Sequence, residues 1–179
     1  MSRIPLIDST NSTGERQALL AQVHGAFGAT PNMFKAVANS TAALKSMWGT
    51  FGALGSGVIP AQLGEQIAVA VANRNACEYC LAAHTVLGRQ AGATDDELSA
   101  AQSGQSADPK TAAALRFALQ LVEARGQVSE SDVQAVRKAG FSEEEIVEIL
   151  AHVALNLFTN YVNVAFAVPV DFPRVKLRG

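Results

Sequence analysis

The sequence predicts an all-α fold. No run keeps the period-two alternation of a half-buried strand. Helix-start and helix-stop residues recur in series along the chain. The apolar segments between them are alanine-rich, which suits closely packed helices.

The elements follow in order. Ser12 and Glu15 have the spacing of a capping box and open the first helix, which Gly25 or Gly28 ends. In "TPNMFKAVANS", Thr30 is read as the cap of a short helix and Pro31 as its first residue. Ser40 caps the next, through Trp48 to the glycines at 52 and 55, and Pro60 opens "PAQLGEQIAVAVAN". Asn75 is read as the cap of the helix that carries the cysteines, with Glu78 as its box partner and Gly88 or Gly92 as its end. Thr94 with Glu97 starts a short helix that stops at Gly104, and Asp108 with Pro109 starts a long one that ends near Gly126. Ser129 opens "SESDVQAVRKAG". Ser142 and Glu145 form another box, with Phe141 and Ile146 placed as a hydrophobic staple. That last helix is expected to run to about Val168, before Pro169.

A chain of 179 residues is expected to form one domain spanning 1–179, and it needs no disulfide or metal staple to fold. The net charge of −2 argues against nucleic acid or an anionic membrane as partner. Arg174, Lys176 and Arg178 near the end read as solvated. The start "MSRIPLIDST" lacks the apolar core of a signal peptide. Residues 146–170 are apolar, but Glu148, His152, Asn156, Asn160, Asn163 and Pro169 interrupt them, so a buried helix is expected and not a membrane span. A soluble cytoplasmic protein follows. Thiols stay reduced there, so a close cysteine pair points to redox chemistry or metal and not to a structural bridge.

The two cysteines of the chain lie together in "NACEYCLAAHT". On a helix Cys77, Cys80 and His84 share one face. Cys77 sits near the helix start, where free N–H groups and the dipole favour a thiolate. Spaced as they are, Cys77 and Cys80 can close a reversible disulfide. His84 is one turn beyond Cys80 and two turns beyond Cys77, so the imidazole serves Cys80. Cys80 is therefore read as the attacking thiol. Cys77 is read as the resolving thiol, more open to solvent and first met by a reductant. Zinc needs four ligands, and three spread over two turns cannot hold one tetrahedral ion, so neither metal nor cofactor is expected.

The run "EQIAVAVANRNACEYCLAAH" matches the pattern E-x11-C-x-x-C-x-x-x-H at Glu65, Cys77, Cys80 and His84. It resembles the AhpD-like alkylhydroperoxidases of the carboxymuconolactone decarboxylase superfamily, with the core motif region at about 60–110. The flanks "PNMFKAVANS" and "TNYVNVAFAVPVDFP" resemble longer, peroxidase-related members. The resemblance implies an all-helical fold in trimers or hexamers. It also implies a peroxidase cycle through a C-x-x-C disulfide with a glutamate–histidine proton relay, here Glu65 and His84. The substrate is then a hydroperoxide and the reductant an external dithiol, of lipoyl or thioredoxin-like type. The best-characterised members place a histidine directly before the second cysteine, where this chain has Tyr79. Decarboxylase members lack the cysteine pair, so lactone decarboxylation is not expected. The rival functions are a disulfide reductase or redox partner, and a non-catalytic redox sensor or assembly protein.

Read without the resemblance, Glu65 is a carboxylate near a helix start, where it suits the dipole. The "IAVAVA" after it reads as buried all round. His152, Asn156, Asn160 and Asn163 form a polar stripe, read as a solvated face or a subunit contact, with a wall of the active site as the alternative. Met33, Phe34, Trp48 and Phe51 read as core or interface, and His24 as structural.

Overall fold

The computed structural model describes residues 2–178. Among these the chain forms a 3-10 turn (Ser9–Asn11) and then nine α-helices. They are α1 (Gly14–Phe27), α2 (Asn32–Val37), α3 (Thr41–Leu54), α4 (Ala61–Arg74), α5 (Glu78–Gln90), α6 (Asp95–Gln102), α7 (Pro109–Glu123), α8 (Glu130–Lys138) and α9 (Glu143–Ala165). No strand occurs among the described residues.

The caps explain most of the boundaries. Ser40 accepts from the Ala43 N–H and Asp108 from the Thr111 N–H, each satisfying a donor that the helix leaves free. Thr94 with Glu97, Ser129 with Asp132, and Ser142 with Glu145 close full capping boxes. Phe141 and Ile146 are both buried at the start of α9.

Four boundaries differ from expectation. The Ser12 hydroxyl donates to the Asp8 carbonyl within the 3-10 turn, so Thr13 takes the cap position of α1 and makes no side-chain bond there. Gly28, left-handed at φ 71°, ends α1. Pro31, extended, is itself the cap of α2, which leaves Thr30 outside. α9 stops at Ala165 and not near Val168, because Ala167 turns left-handed (φ 48°) and the Val168 N–H closes onto the Asn163 carbonyl.

The fourth difference lies at the cysteines. Asn75 ends α4 and does not start α5. Ala76 adopts a left-handed φ of 52°, and the Cys77 N–H closes onto the Ala72 carbonyl. Cys77 is then the cap of α5, its Sγ accepting from the Cys80 N–H. Two residues, Asn75 and Ala76, thus separate the last turn of α4 from the cysteine pair.

α4 is the centre of the packing and touches α5, α6, α7 and α9. Residues 66–72 of α4 are buried throughout, as the "IAVAVA" pattern predicts. Full burial of each valine or isoleucine there contributes about 1.5–3 kcal/mol. α9 packs on α2, α3, α4, α5, α7 and α8 through one face. Its other face leaves Val147, Leu150, Phe158, Tyr161 and Val164 exposed. After α9 the chain runs back over the helices. Asp171 accepts from the Asn32 N–H at 2.8 Å. Arg174, Lys176 and Arg178 are exposed, as expected, and the Arg178 guanidinium also donates to the Ser99 carbonyl (2.7 Å) and hydroxyl (2.6 Å). No helix among the described residues is long and apolar enough to cross a membrane.

A non-glycine residue in the left-handed region costs about 1–2 kcal/mol. Ala76 is exposed, so its methyl group packs on little. Ala76→Gly is expected to stabilise the fold by about 0.5–1 kcal/mol, offset in part by glycine's freedom in the unfolded chain. Thermal unfolding should show a rise of about 2 °C in Tm; an unchanged or lower Tm would mean that the turn carries no strain.

Candidate active site

The α4–α5 turn brings four of the predicted residues together. Cys77 and Cys80 form a disulfide, with Cα atoms 5.4 Å apart. Both are buried, at 1% and 2% exposure, so Cys77 is not the more open of the two. Cys80, and not Cys77, lines a narrow cavity between α2, α5 and the chain after α9. His84, one turn further along α5, lines the same cavity.

His84 Nδ1 donates to Glu65 Oε2 at 2.8 Å. Glu65 therefore does more than serve the dipole of α4: it holds the His84 ring. With its proton on Nδ1, a neutral imidazole carries its lone pair on Nε2. A small residue lets α6 pack closely on α5. A Cβ at Gly88, one turn beyond His84, would lie 2.6 Å from Leu98 Cδ2 and 3.6 Å from Glu65 Cβ.

The polar stripe of α9 faces inward. Asn156, Asn160 and Asn163 are buried, at 4%, 0% and 4% exposure, so a solvated face is ruled out for them. Asn163 Nδ2 donates to Cys80 Sγ at 3.2 Å, and Asn75 Nδ2 donates to Asn160 Oδ1 at 2.9 Å. Of the stripe, only Asn163 reaches a cysteine and lines the cavity beside it. An inward stripe and an outward one have the same spacing; the apolar residues Val147, Leu150, Phe158 and Tyr161 on the other face were the signal that could have told them apart.

The cavity beside Cys80 is apolar. Met33, Phe34 and Phe51 line it with Tyr79 and Phe172, so these three are part of the pocket as well as of the core. Trp48 does not line it; it packs edge-on against Phe34 and donates to Gln22. Tyr79 accepts from the Met33 N–H at 3.2 Å and stacks edge-on against Phe172. Burial pushes its phenol well above the usual range, so it stays neutral and acts as wall, not as base. His24 is exposed at the end of α1, 3.5 Å from Thr30 Oγ1, and takes no part in the site. No group of three or more histidine, cysteine, aspartate or glutamate side chains among the described residues is placed to hold a metal ion.

Residues 40–124, which span α3 to α7, match the family model for the carboxymuconolactone decarboxylase family. No curated protein sequence matches the chain. Among solved structures it is similar to a peroxidase-related protein from Silicibacter sp. TM1040, at 25% identity and a TM-score of 0.81, over 94% of this chain and 91% of that one. A second, described as an alkylhydroperoxidase AhpD core, a peroxidase-related protein from Ralstonia eutropha JMP134, has 24% identity and a TM-score of 0.86, over 95% of this chain and 92% of that one. A third is the debrominase Bmp8 in complex with 2,3,4-tribromopyrrole, at 20% identity and a TM-score of 0.79, over 94% of this chain and 91% of that one. The fold is the AhpD-like all-α fold of these proteins.

The Asn163 amide is placed to hold a Cys80 thiolate. Hydrogen bonds to charged groups contribute about 1.5–3 kcal/mol, which equals roughly one to two pKa units. Asn163→Leu should raise the pKa of Cys80 in the reduced protein by about one unit, read from thiolate ultraviolet absorbance against pH in a Cys77→Ser background. An unmoved titration would show that the amide is only a packing element.

Proposed function

We propose that the protein is a thiol-dependent hydroperoxide reductase that needs no cofactor and cycles through the Cys77–Cys80 disulfide. One observation carries the reading. Cys80 lines an apolar cavity together with an imidazole whose Nδ1 is held by a carboxylate at 2.8 Å. That gathers a nucleophile, a base and an orienting group at one site.

In the reduced protein His84 Nε2 takes the Cys80 proton, and Glu65 and Asn163 stabilise the resulting ion pair. The Cys80 thiolate attacks one oxygen of the hydroperoxide. The O–O bond breaks, Cys80 becomes a sulfenic acid, and the leaving alkoxide takes the proton from His84. The Cys77 sulfur then displaces the hydroxyl, which leaves with the Cys77 proton as water. The two thiols have supplied two electrons and hold the disulfide. An external dithiol restores them by exchange. Because both sulfurs are buried, a lipoyl-type dithiol on a slender arm fits better than the broad face of a thioredoxin-like protein. Such dithiols act in the cytoplasm, where we place the protein.

The aromatic lining of the cavity, Phe34, Phe51, Tyr79 and Phe172, favours one second reading. A flat halogenated ring would fit the same walls. Two thiols could replace a carbon–bromine bond by carbon–hydrogen, releasing hydrogen bromide and leaving the same disulfide.

The exposed apolar stripe of α9 is the face by which we expect copies to associate, as a trimer or hexamer. Light scattering at micromolar concentration should give an oligomer, and Leu150→Asp should shift it toward monomer. A well-behaved monomer of the unaltered chain contradicts this.

Peroxide turnover with a dithiol donor tests the main reading, and Glu65→Gln should lower it by about tenfold or more while keeping the fold. In Cys77→Ser a sulfenate trap should label Cys80; in Cys80→Ser labelling of Cys77 should be slow. Equal labelling rates would overturn the division of roles. Bromide release without peroxide reduction would establish the second reading instead.

A further inference from the structure

A second cavity, of about 150 Å³, borders His84 and Glu65 but neither cysteine. That volume has room for about five water molecules. Phe51, Leu54, Ile59 and Leu155 give it apolar walls, and its polar lining is Glu65 from α4, His84 from α5, and His152 and Asn156 from α9. His152 Nε2 and Asn156 Oδ1 are buried with no hydrogen-bond partner in the protein. Buried polar atoms are almost always satisfied, by protein or by ordered water. Both side chains line one cavity, which Glu65 and His84 also line, and this convergence of polar groups indicates a built site.

The approach of His152 depends on Gly64. A Cβ at that position would lie 3.1 Å from His152 Cε1, so a side chain there would force the ring to shift. The charged and titratable groups that face His152 are Glu148 on its own helix, Glu65 on α4 and His84 on α5. Glu148 is committed to the Val58 and Ile59 N–H groups. Burial pushes the His152 pKa down, so its ring is neutral at pH 7 and can both donate and accept.

We propose that His152 is a positioning residue for the proton relay, and that a short chain of water in this cavity joins the His152 ring and the Asn156 amide to the Glu65 carboxylate. This rests on the Glu65–His84 relay proposed above. Water held there hydrogen-bonds the Glu65 carboxylate and keeps it against His84 Nδ1, and the His84 ring so held serves Cys80. Without His152 the carboxylate faces a drier wall. The midpoint of Cys80 ionisation then moves to higher pH.

The test is the rate of Cys80 alkylation by iodoacetamide against pH, on reduced full-length protein in a Cys77→Ser background. It uses no peroxide, so it does not depend on turnover. His152→Leu should raise the midpoint by about 0.5–1 pH unit, slowing alkylation near neutral pH about three- to tenfold. His152→Gln, which keeps a hydrogen-bonding group, should stay near the parent value. Gly64→Ala, which displaces the ring without changing its chemistry, should shift the midpoint in the direction of His152→Leu. If His152→Leu does not fold, the contrast between Gly64→Ala and His152→Gln decides. A midpoint unmoved by His152→Leu or by Gly64→Ala overturns the proposal, as does a His152→Gln variant that behaves like His152→Leu. A midpoint unmoved by Glu65→Gln overturns the relay beneath it. These shifts without any peroxide consumption would support His152 and sink the peroxidase reading alone.

Discussion

A carboxylate and an imidazole, both largely withdrawn from water, meet at 2.8 Å between α4 and α5. A carboxylate removed from solvent is tolerated only with a partner. Much of the fold can be traced to this one contact. The α4–α5 turn must be short, and a left-handed Ala76 makes it so. Gly88, one turn beyond His84, leaves room for Leu98 of α6 against the same helix. The same turn makes Cys77 a helix cap and places Cys80 one turn before His84, so the sulfur chemistry and the proton chemistry are set by one local geometry.

α9 completes the site with neutral groups. Its asparagines are fully or nearly buried, and Asn163 turns its amide toward Cys80. An amide dipole can hold a thiolate without adding a charge that would compete with the His84–Glu65 pair. The apolar face of Met33, Phe34, Phe51 and Phe172 excludes water from the sulfur, which strengthens each of these interactions. The site thus has an apolar side at Cys80 and a more polar side behind the imidazole, lined by Glu65, His152 and Asn156.

Much of this was legible in the sequence because it is local. Period 3.6, caps and the C-x-x-C-x-x-x-H spacing act within one or two helical turns, so Ser40, Thr94, Asp108, Ser129 and Ser142 could be recognised as caps from their neighbours alone. Ser12 and Asn75 misled because each had a second use: the Ser12 hydroxyl binds the Asp8 carbonyl, and Asn75 ends one helix and reaches Asn160. What was hidden depends on packing between distant elements. Asn156, Asn160 and Asn163 have the spacing of a solvated stripe, and only the docking of α9 on α4 and α5 turns them inward. Met33 and Phe51 belong to core and pocket at once, and nothing in their spacing separates the two. Cys77 was expected to be the open sulfur because it lies nearest the helix start. The tight turn buries it instead and leaves the cavity to Cys80.

The central claim is that the dithiol itself reduces a peroxide bond. The most direct measurement is a single turnover on fully reduced protein with one equivalent of an organic hydroperoxide and no external reductant. Free thiols and the alcohol product are counted in the same sample. The account predicts that two thiols disappear for each alcohol formed, with the loss of two hydrogens mapping to the peptide that holds Cys77 and Cys80. Alcohol absent while both thiols remain, or thiols lost without matching alcohol, would contradict it.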